Sequence, residues 1–202
     1  MKTKEKLKQI KYRIESLFFI IQRTLLSSFY KIKFPINKEV HCDSHVKIGR
    51  GTRIYFYNGK MHIKENTTIC NNSKFIIGGG KLEIGKNCLL GEYGIYNTFA
   101  NLIIEDDVIT ADRISFVTNI HQYHDIEIPI KEQPSTSDDI VIGRGTWIGM
   151  NATILGGTHI GKNVVIAAHS VVKGNFPDYC VCGGVPAHII RQYNIKIGKW
   201  EK

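Results

Sequence analysis

The sequence predicts an all-β chain wound as a parallel β-helix, and three observations carry that expectation. Ile142, Ile148, Ile154, Ile160, Ile166 and Val172 recur at intervals of six. Thr146, Ala152, Thr158, Val164 and Ser170 recur four places after the first five of them. Gly, Asn and Asp stand between these anchors, where a backbone can turn. A period of six is neither helical nor a plain alternating strand. Such a repeat outranks other local signals, because each unit needs its neighbours to bury its apolar face. Each hexad supplies a short extended segment with its Ile inward and a small residue at a corner. Three segments close a triangular coil, and stacked coils pair their backbones at about 4.8 Å.

The 202 residues are enough for a substantial core, and the repeat occupies so much of them that one main domain is expected over 35–191, flanked by appendages at 1–34 and 192–202. The formal charge of +9 is unevenly spread. Residues 1–33 hold nine basic side chains against Glu5 and Glu15, so +7 lies there and +2 on all the rest. A body without a basic stripe argues against nucleic acid as a partner. The cysteines, Cys42, Cys70, Cys88, Cys180 and Cys182, are odd in number and form no CxxC pair. They read as reduced thiols of a cytoplasmic protein, and the single residue between Cys180 and Cys182 is too little for a metal clip.

In the amino-terminal arm, Leu7, Ile10, Ile14, Leu17, Phe18, Ile21 and Leu25 have the three-and-four spacing of an amphipathic helix ending before Pro35. Its unbroken apolar run from Leu17 to Ile21 is far short of the roughly 20 residues that cross a bilayer. The pattern suits a helix packed on the body or on a partner chain. It also suits an interfacial helix whose lysines meet anionic lipid at the inner face of the cytoplasmic membrane, the reading preferred for residues 1–33.

Beyond Pro35, hexads begin at Ile48 and Ile54, at Ile63, Ile69 and Phe75, at Ile84 and Leu90, and at Ile104, Thr110 and Phe116. The slips between these groups mark bends or small loops. Residues 117–139 break the period with polar side chains, two prolines and two histidines, and are expected to form a loop.

An ordered set of segments carries a resemblance: Thr118-Asn119-Ile120-His121, Pro129-Ile130-Lys131-Glu132-Gln133-Pro134, Ile142-Gly143 through Trp147-Ile148-Gly149, and Gly184-Val185-Pro186-Ala187 before Arg191. Over roughly residues 46–191 the chain resembles the hexapeptide-repeat acyltransferases, and within them the sugar O-acetyltransferases related to maltose and galactoside acetyltransferases. The resemblance implies a left-handed β-helix, a homotrimer with active sites between subunits, and acetyl-CoA as co-substrate. It implies O-acetylation of a sugar or lipid-linked saccharide in bacterial surface polysaccharide synthesis.

Acetyl transfer to a hydroxyl needs a base, a donor to the developing oxyanion and alignment of two substrates. The resemblance places the base at His121, with His124 as rival. Asp125 could orient an imidazole and, with Asn97, is assigned to the acceptor. Tyr93 to Asn97 and the loop are expected to shape its pocket. For coenzyme A, position points to Gly149, Ala152, Ala167 and Ala168 along the pantetheine arm, Trp147 lining the groove, and Lys173, Pro186 and Arg191 near the nucleotide. Ala152, Ala167 and Gly149 read equally as corner residues. The chain has Val185-Pro186-Ala187-His188 and Lys173-Gly174 where relatives often have Asn-Pro-Ala-Lys and Thr-Lys, which shifts weight to Arg191 for the phosphates.

His41, His45, His62, His159, His169 and His188 read as surface residues. Carbonic-anhydrase relatives on this kind of fold hold zinc with three histidines from adjacent subunits, but no third histidine joins His121 and His124 at persuasive spacing, so no metal is expected. Two alternatives remain beside sugar O-acetylation: N-acetylation of an aminosugar nucleotide, and a non-catalytic β-helix scaffold.

Overall fold

The computed structural model describes residues 39–202, so the predicted amphipathic arm lies outside the described residues. Among the described residues no helix is long and apolar enough to cross a membrane. The chain winds as a parallel β-helix with three faces. Ile54, Phe75, Tyr96, Phe116, Ile154 and Val172 follow one another down the first face. Cys42, Ile63, Ile84, Ile104, Ile142, Ile160 and Phe176 do so down the second. Ile48, Ile69 and Leu90 begin the third, and Thr110, Ile148, Ile166 and Cys182 complete it.

The period of six records which residues point inward. All six anchors from Ile142 to Val172, and the five small or branched residues four places after the first five, are at most 1% exposed. The earlier anchors point inward as well, with Ile54 only half-buried. Tyr96, six places after Leu90, continues the period and is wholly buried. Its ring stacks between Phe75 and Phe116, with centroids 4.4 and 5.4 Å apart, so the first face is filled by an aromatic column. Burial pushes the Tyr96 phenol well above its ordinary range.

Two corners are regular. Between the second and third faces His45, Asn66, Asn87, Asp107, Gly145, Asn163 and Tyr179 stack, and between the third and first Gly51, Asn72, Tyr93, Arg113, Asn151 and His169 do; every one has φ between +51° and +71°. Left-handed backbone favours Gly, Asn and Asp. The residue just before the left-handed one can also bind the preceding coil: the carboxylates of Asp106, Asp112 and Asp178 accept the amide N–H of Lys86, Glu92 and Lys162 at 2.8 Å. His45, Tyr93, Arg113, His169 and Tyr179 show that the stacked ladder imposes the same turn on less compliant residues.

The third corner, between the first and second faces, takes every slip of the repeat. The 11-residue strands Arg53–Ile63 and Lys74–Ile84 run continuously through it. Coils there take 21 residues, as from Ile48 to Ile69, whereas the regular coil from Ile148 to Ile166 takes 18. Packing between successive insertions is tight: a Cβ on Gly80 would fall 1.9 Å from the carbonyl oxygen of Ala100. The predicted loop departs from this same corner.

At the carboxy-terminal end Cys180–Gly184 pairs antiparallel with Ala187–Asn194, which pairs with Lys199–Glu201. The expected boundary at residue 191 therefore falls inside a strand. All five cysteines are free thiols, and burial pushes Cys88 up to about 11 and Cys182 to about 12.

Ile148→Ala should destabilise the fold by about 2–5 kcal/mol, because the stacked coils cannot collapse onto the space left. Gly80→Ala should also lower the denaturation midpoint by forcing the Ala100 backbone away. Urea unfolding followed by far-UV circular dichroism checks both; wild-type midpoints would count against this account of the core and corner.

Candidate active site

The loop is a hairpin standing on the irregular corner. Asn119–His121 pairs antiparallel with Ser135–Ser137, with His121 opposite Ser135. Its tip contains a single turn of 3₁₀ helix at Ile130–Glu132. Within it, Gln133 is buried and replaces a backbone partner: its side-chain nitrogen donates to the Asp125 carbonyl at 2.7 Å and the Ile128 carbonyl at 3.1 Å, and its oxygen accepts the Asp125 N–H at 3.2 Å.

Thr118 fixes the foot of the hairpin. Its hydroxyl donates to the Asn97 carbonyl at 3.0 Å and accepts the N–H groups of Phe99 and Ala100 at 2.8 and 3.1 Å. Its carbonyl accepts the Asp138 N–H at 2.9 Å, so both hairpin arms meet at this residue. Only 2% exposed, Thr118 sets the direction in which His121 leaves the coil, three residues on.

His121 is exposed on the outgoing strand. His124 lies against Tyr123, with ring centroids 5.1 Å apart. The Asp125 carboxylate accepts the Glu127 N–H at 2.9 Å. One of its oxygens is thus engaged in a local turn, and among the described residues it makes no contact with an imidazole. Asn97 sits at the hairpin's foot, beside Val117 in the outward row of the first face. Its side-chain oxygen is buried without a hydrogen-bond partner among the described residues. Such an atom costs roughly 1–3 kcal/mol unless something else satisfies it.

The residues expected to touch coenzyme A divide between two corners. Trp147 is exposed on the third face, in one row with Ile109 and Val165. Gly149, Ala167 and Gly183 follow at the corner leading to the first face. They approach so closely that a Cβ on Gly149 would meet the Ala168 nitrogen at 2.6 Å, and one on Gly183 would meet the Ala167 Cβ at 2.7 Å. Ala168 is exposed there, and Ala152 is wholly enclosed in the core, so only backbone at that position can face a ligand. Pro186 lies in the turn after Cys180–Gly184, and Arg191 is exposed opposite Val181. Lys173 is exposed just past Val171–Val172, at the corner that carries the hairpin.

Within one chain, the hairpin that carries His121 and the Gly149 corner thus leave opposite ends of the first face, whose three-residue strand Thr153–Leu155 spans about 10 Å. The sequence also missed a cluster elsewhere: His41, Asp43 and His62 converge at the first coils, although both histidines read as isolated surface residues. The signal that would find them is the 21-residue length of an early coil.

Residues 139–174 match the family described as Bacterial transferase hexapeptide (six repeats). The chain is 34% identical over 155 residues to the Escherichia coli K12 protein WbbJ, named as a lipopolysaccharide biosynthesis O-acetyl transferase, covering 72% of this chain and 78% of that one. It is 33% identical over 141 residues to the Mycobacterium tuberculosis protein Rv3034c, named as an acetyltransferase, covering 70% of this chain but spanning only 44% of that relative's length. Among solved structures, the Bacillus cereus N-acyltransferase AntD in complex with dTDP and 3-hydroxybutyryl-CoA superimposes with a TM-score of 0.66 at 22% identity, covering 85% of this chain and 93% of AntD.

Thr118→Val should leave the solenoid folded but release the hairpin's foot, with a loss of about 1–3 kcal/mol from two N–H groups left unbonded. Hydrogen exchange is the measurement: the amides of Phe99 and Ala100 and the hairpin strands should exchange faster while the third face is unchanged. Protection equal to wild type would remove Thr118 from this role.

Proposed function

The chain belongs to the hexapeptide-repeat acyltransferases, and we propose that it transfers an acetyl group from acetyl-CoA to a hydroxyl of a sugar or lipid-linked saccharide in the synthesis of a bacterial surface polysaccharide. The observation that carries the reading is the hairpin that presents His121: it rises from Thr118, whose hydroxyl binds the Asn97 carbonyl, so an exposed imidazole stands three residues beyond the coil that holds an amide oxygen without a partner among the described residues. His121 takes the proton of the acceptor hydroxyl, and the oxygen attacks the thioester carbonyl. Backbone N–H groups stabilise the tetrahedral oxyanion. The carbon–sulfur bond then breaks, and the proton held by His121 passes to the departing thiolate of coenzyme A. No acyl-enzyme forms.

In this reading Asn97 orients the acceptor through its free oxygen, and Asp125 acts through the loop it braces. The small residues at Gly149, Ala167 and Ala168 admit the pantetheine arm beside Trp147. Lys173, Pro186 and Arg191 lie toward the nucleotide. Separation of His121 from the Gly149 corner by a whole face supports a homotrimer, in which the hairpin of one subunit covers the corner of the next. The name of WbbJ favours an O-linked acceptor of the surface-polysaccharide kind.

His121→Ala should lower turnover by about 10²–10⁴-fold while leaving subunit assembly and the unfolding midpoint unchanged. Release of free coenzyme A is read with a panel of sugars. Release only with hydroxyl acceptors supports this reading; release with an amino acceptor favours aminosugar N-acetylation; no release with any acceptor favours a scaffold. Near-normal turnover in the variant would remove His121 as the base.

Residues 1–33 extend the proposal by holding the enzyme at the membrane that carries a lipid-linked acceptor. Flotation with anionic liposomes tests this step: full-length protein should float and a version lacking these residues should not, and equal behaviour rules it out.

A further inference from the structure

The strand Val40–Cys42 opens the described solenoid and pairs with Arg53–Ile63 so that His41 stands directly beside His62 on the outside of the second face. The imidazoles meet edge to face, centroids 4.9 Å apart. Both direct Nε2 at one atom, Oδ1 of Asp43, at 3.0 Å from His41 and 2.8 Å from His62. The Asp43 N–H is in turn bonded to the Ile63 carbonyl at 2.9 Å, so the carboxylate is anchored to the strand carrying His62. Its hydrogen bond with His62 is the main reason that the carboxyl is held below the ordinary range.

We propose that His41, Asp43 and His62 form a Zn²⁺ site. Two imidazole nitrogens and one carboxylate oxygen, all within 4.8 Å of one another, are a donor set that zinc accepts. Tetrahedral zinc holds such ligands at roughly 2.0–2.2 Å, which sets neighbouring donor atoms about 3.3 Å apart. The two carboxylate–imidazole pairs need to open by about half an ångström from their present 2.8 and 3.0 Å, and the two imidazole nitrogens, which lie within 4.8 Å of each other, need to close toward the same spacing. The His41 side chain, 67% exposed, is free to make that movement.

Water fills the fourth position, because among the described residues the neighbouring carboxylates are engaged elsewhere. Glu83, next in the outward row after His62, is held by Lys64 and Lys81, and Glu39 pairs with Lys60. The site is separate from the hairpin: His62 belongs to the Ile63 position of the second face, and Ile84 and Ile104 intervene before the Ile142 coil that follows the loop. Its effect is structural. Val40–Cys42 is the first strand among the described residues and is paired there on one edge only, and an ion bridging His41 to His62 staples it to the next coil.

The test uses the full-length protein, stripped of metal by chelator and titrated with Zn²⁺ against a chromophoric competitor. Wild type should bind one zinc per chain and unfold at a higher temperature with it. His41→Ala and His62→Ala should each weaken binding at least tenfold and lose the thermal shift, while the double variant His121→Ala/His124→Ala keeps both. His41→Ala alters an exposed side chain, so the proposal stays testable if the second variant folds poorly; Asp43→Asn offers a third probe. No zinc uptake by wild type at micromolar concentration, or uptake unchanged in His41→Ala and His62→Ala, overturns the assignment.

Discussion

Register between successive coils is the constraint on which everything else in this protein rests. A parallel ladder leaves each coil dependent on the one before it. Inward residues can stack only if each coil returns to the same point after three turns, and at two of the three corners that return is made by a single left-handed residue. Where Asp stands just before that residue, its side chain also takes a backbone partner in the neighbouring coil, as Asp106, Asp112 and Asp178 do. Turn, ladder and core therefore reinforce one another. This is why residues as unsuited to positive φ as Tyr93 and Arg113 are nonetheless held there.

The same constraint confines variation to one place. Two corners cannot lengthen without breaking the side-chain ladders that cross them, so the corner between the first and second faces absorbs every added residue. It does so gradually at Tyr57 to Gly59, at Gly78 to Gly80 and at Phe99 to Asn101, then all at once in the hairpin. Thr118 shows how the insertion is tied back: one hydroxyl replaces the missing ladder by serving Asn97, Phe99 and Ala100 together. A catalytic loop here is rigidly founded although its far end is exposed.

Much of this was legible in the sequence, for a physical reason. Burial in a stacked coil restricts every sixth residue, so Ile142 to Val172 announced both their spacing and their direction. A phenol looks unlike an isoleucine anchor, so the spacing alone does not single out Tyr96, yet its ring fills the same column between Phe75 and Phe116. Asp125, a carboxylate near two histidines, suggests a pair from its spacing, and what the spacing does not show is that one of its oxygens accepts the backbone N–H two residues on. The contact of His41 with His62 was hidden for the opposite reason. Sequence numbering in sixes does not reveal which residues stack, because one early coil contains 21 residues and not 18.

What a single chain cannot do is bring its own parts together. The face that separates His121 from the Gly149 corner is a continuous parallel sheet, and no hinge in it could shorten the gap without breaking the Phe116 and Ile154 column beneath. The hairpin projects outward, away from its own core, while the small-residue corner, where successive coils press together, lies at the other end of the first face. In the proposed mechanism, two surfaces fixed apart within one molecule are joined by a second copy. Threefold packing satisfies both at once, since a three-sided coil repeats the same relation at each of its neighbours. The rigidity that makes the solenoid stable is thus also what moves its proposed catalytic chemistry to the boundary between subunits.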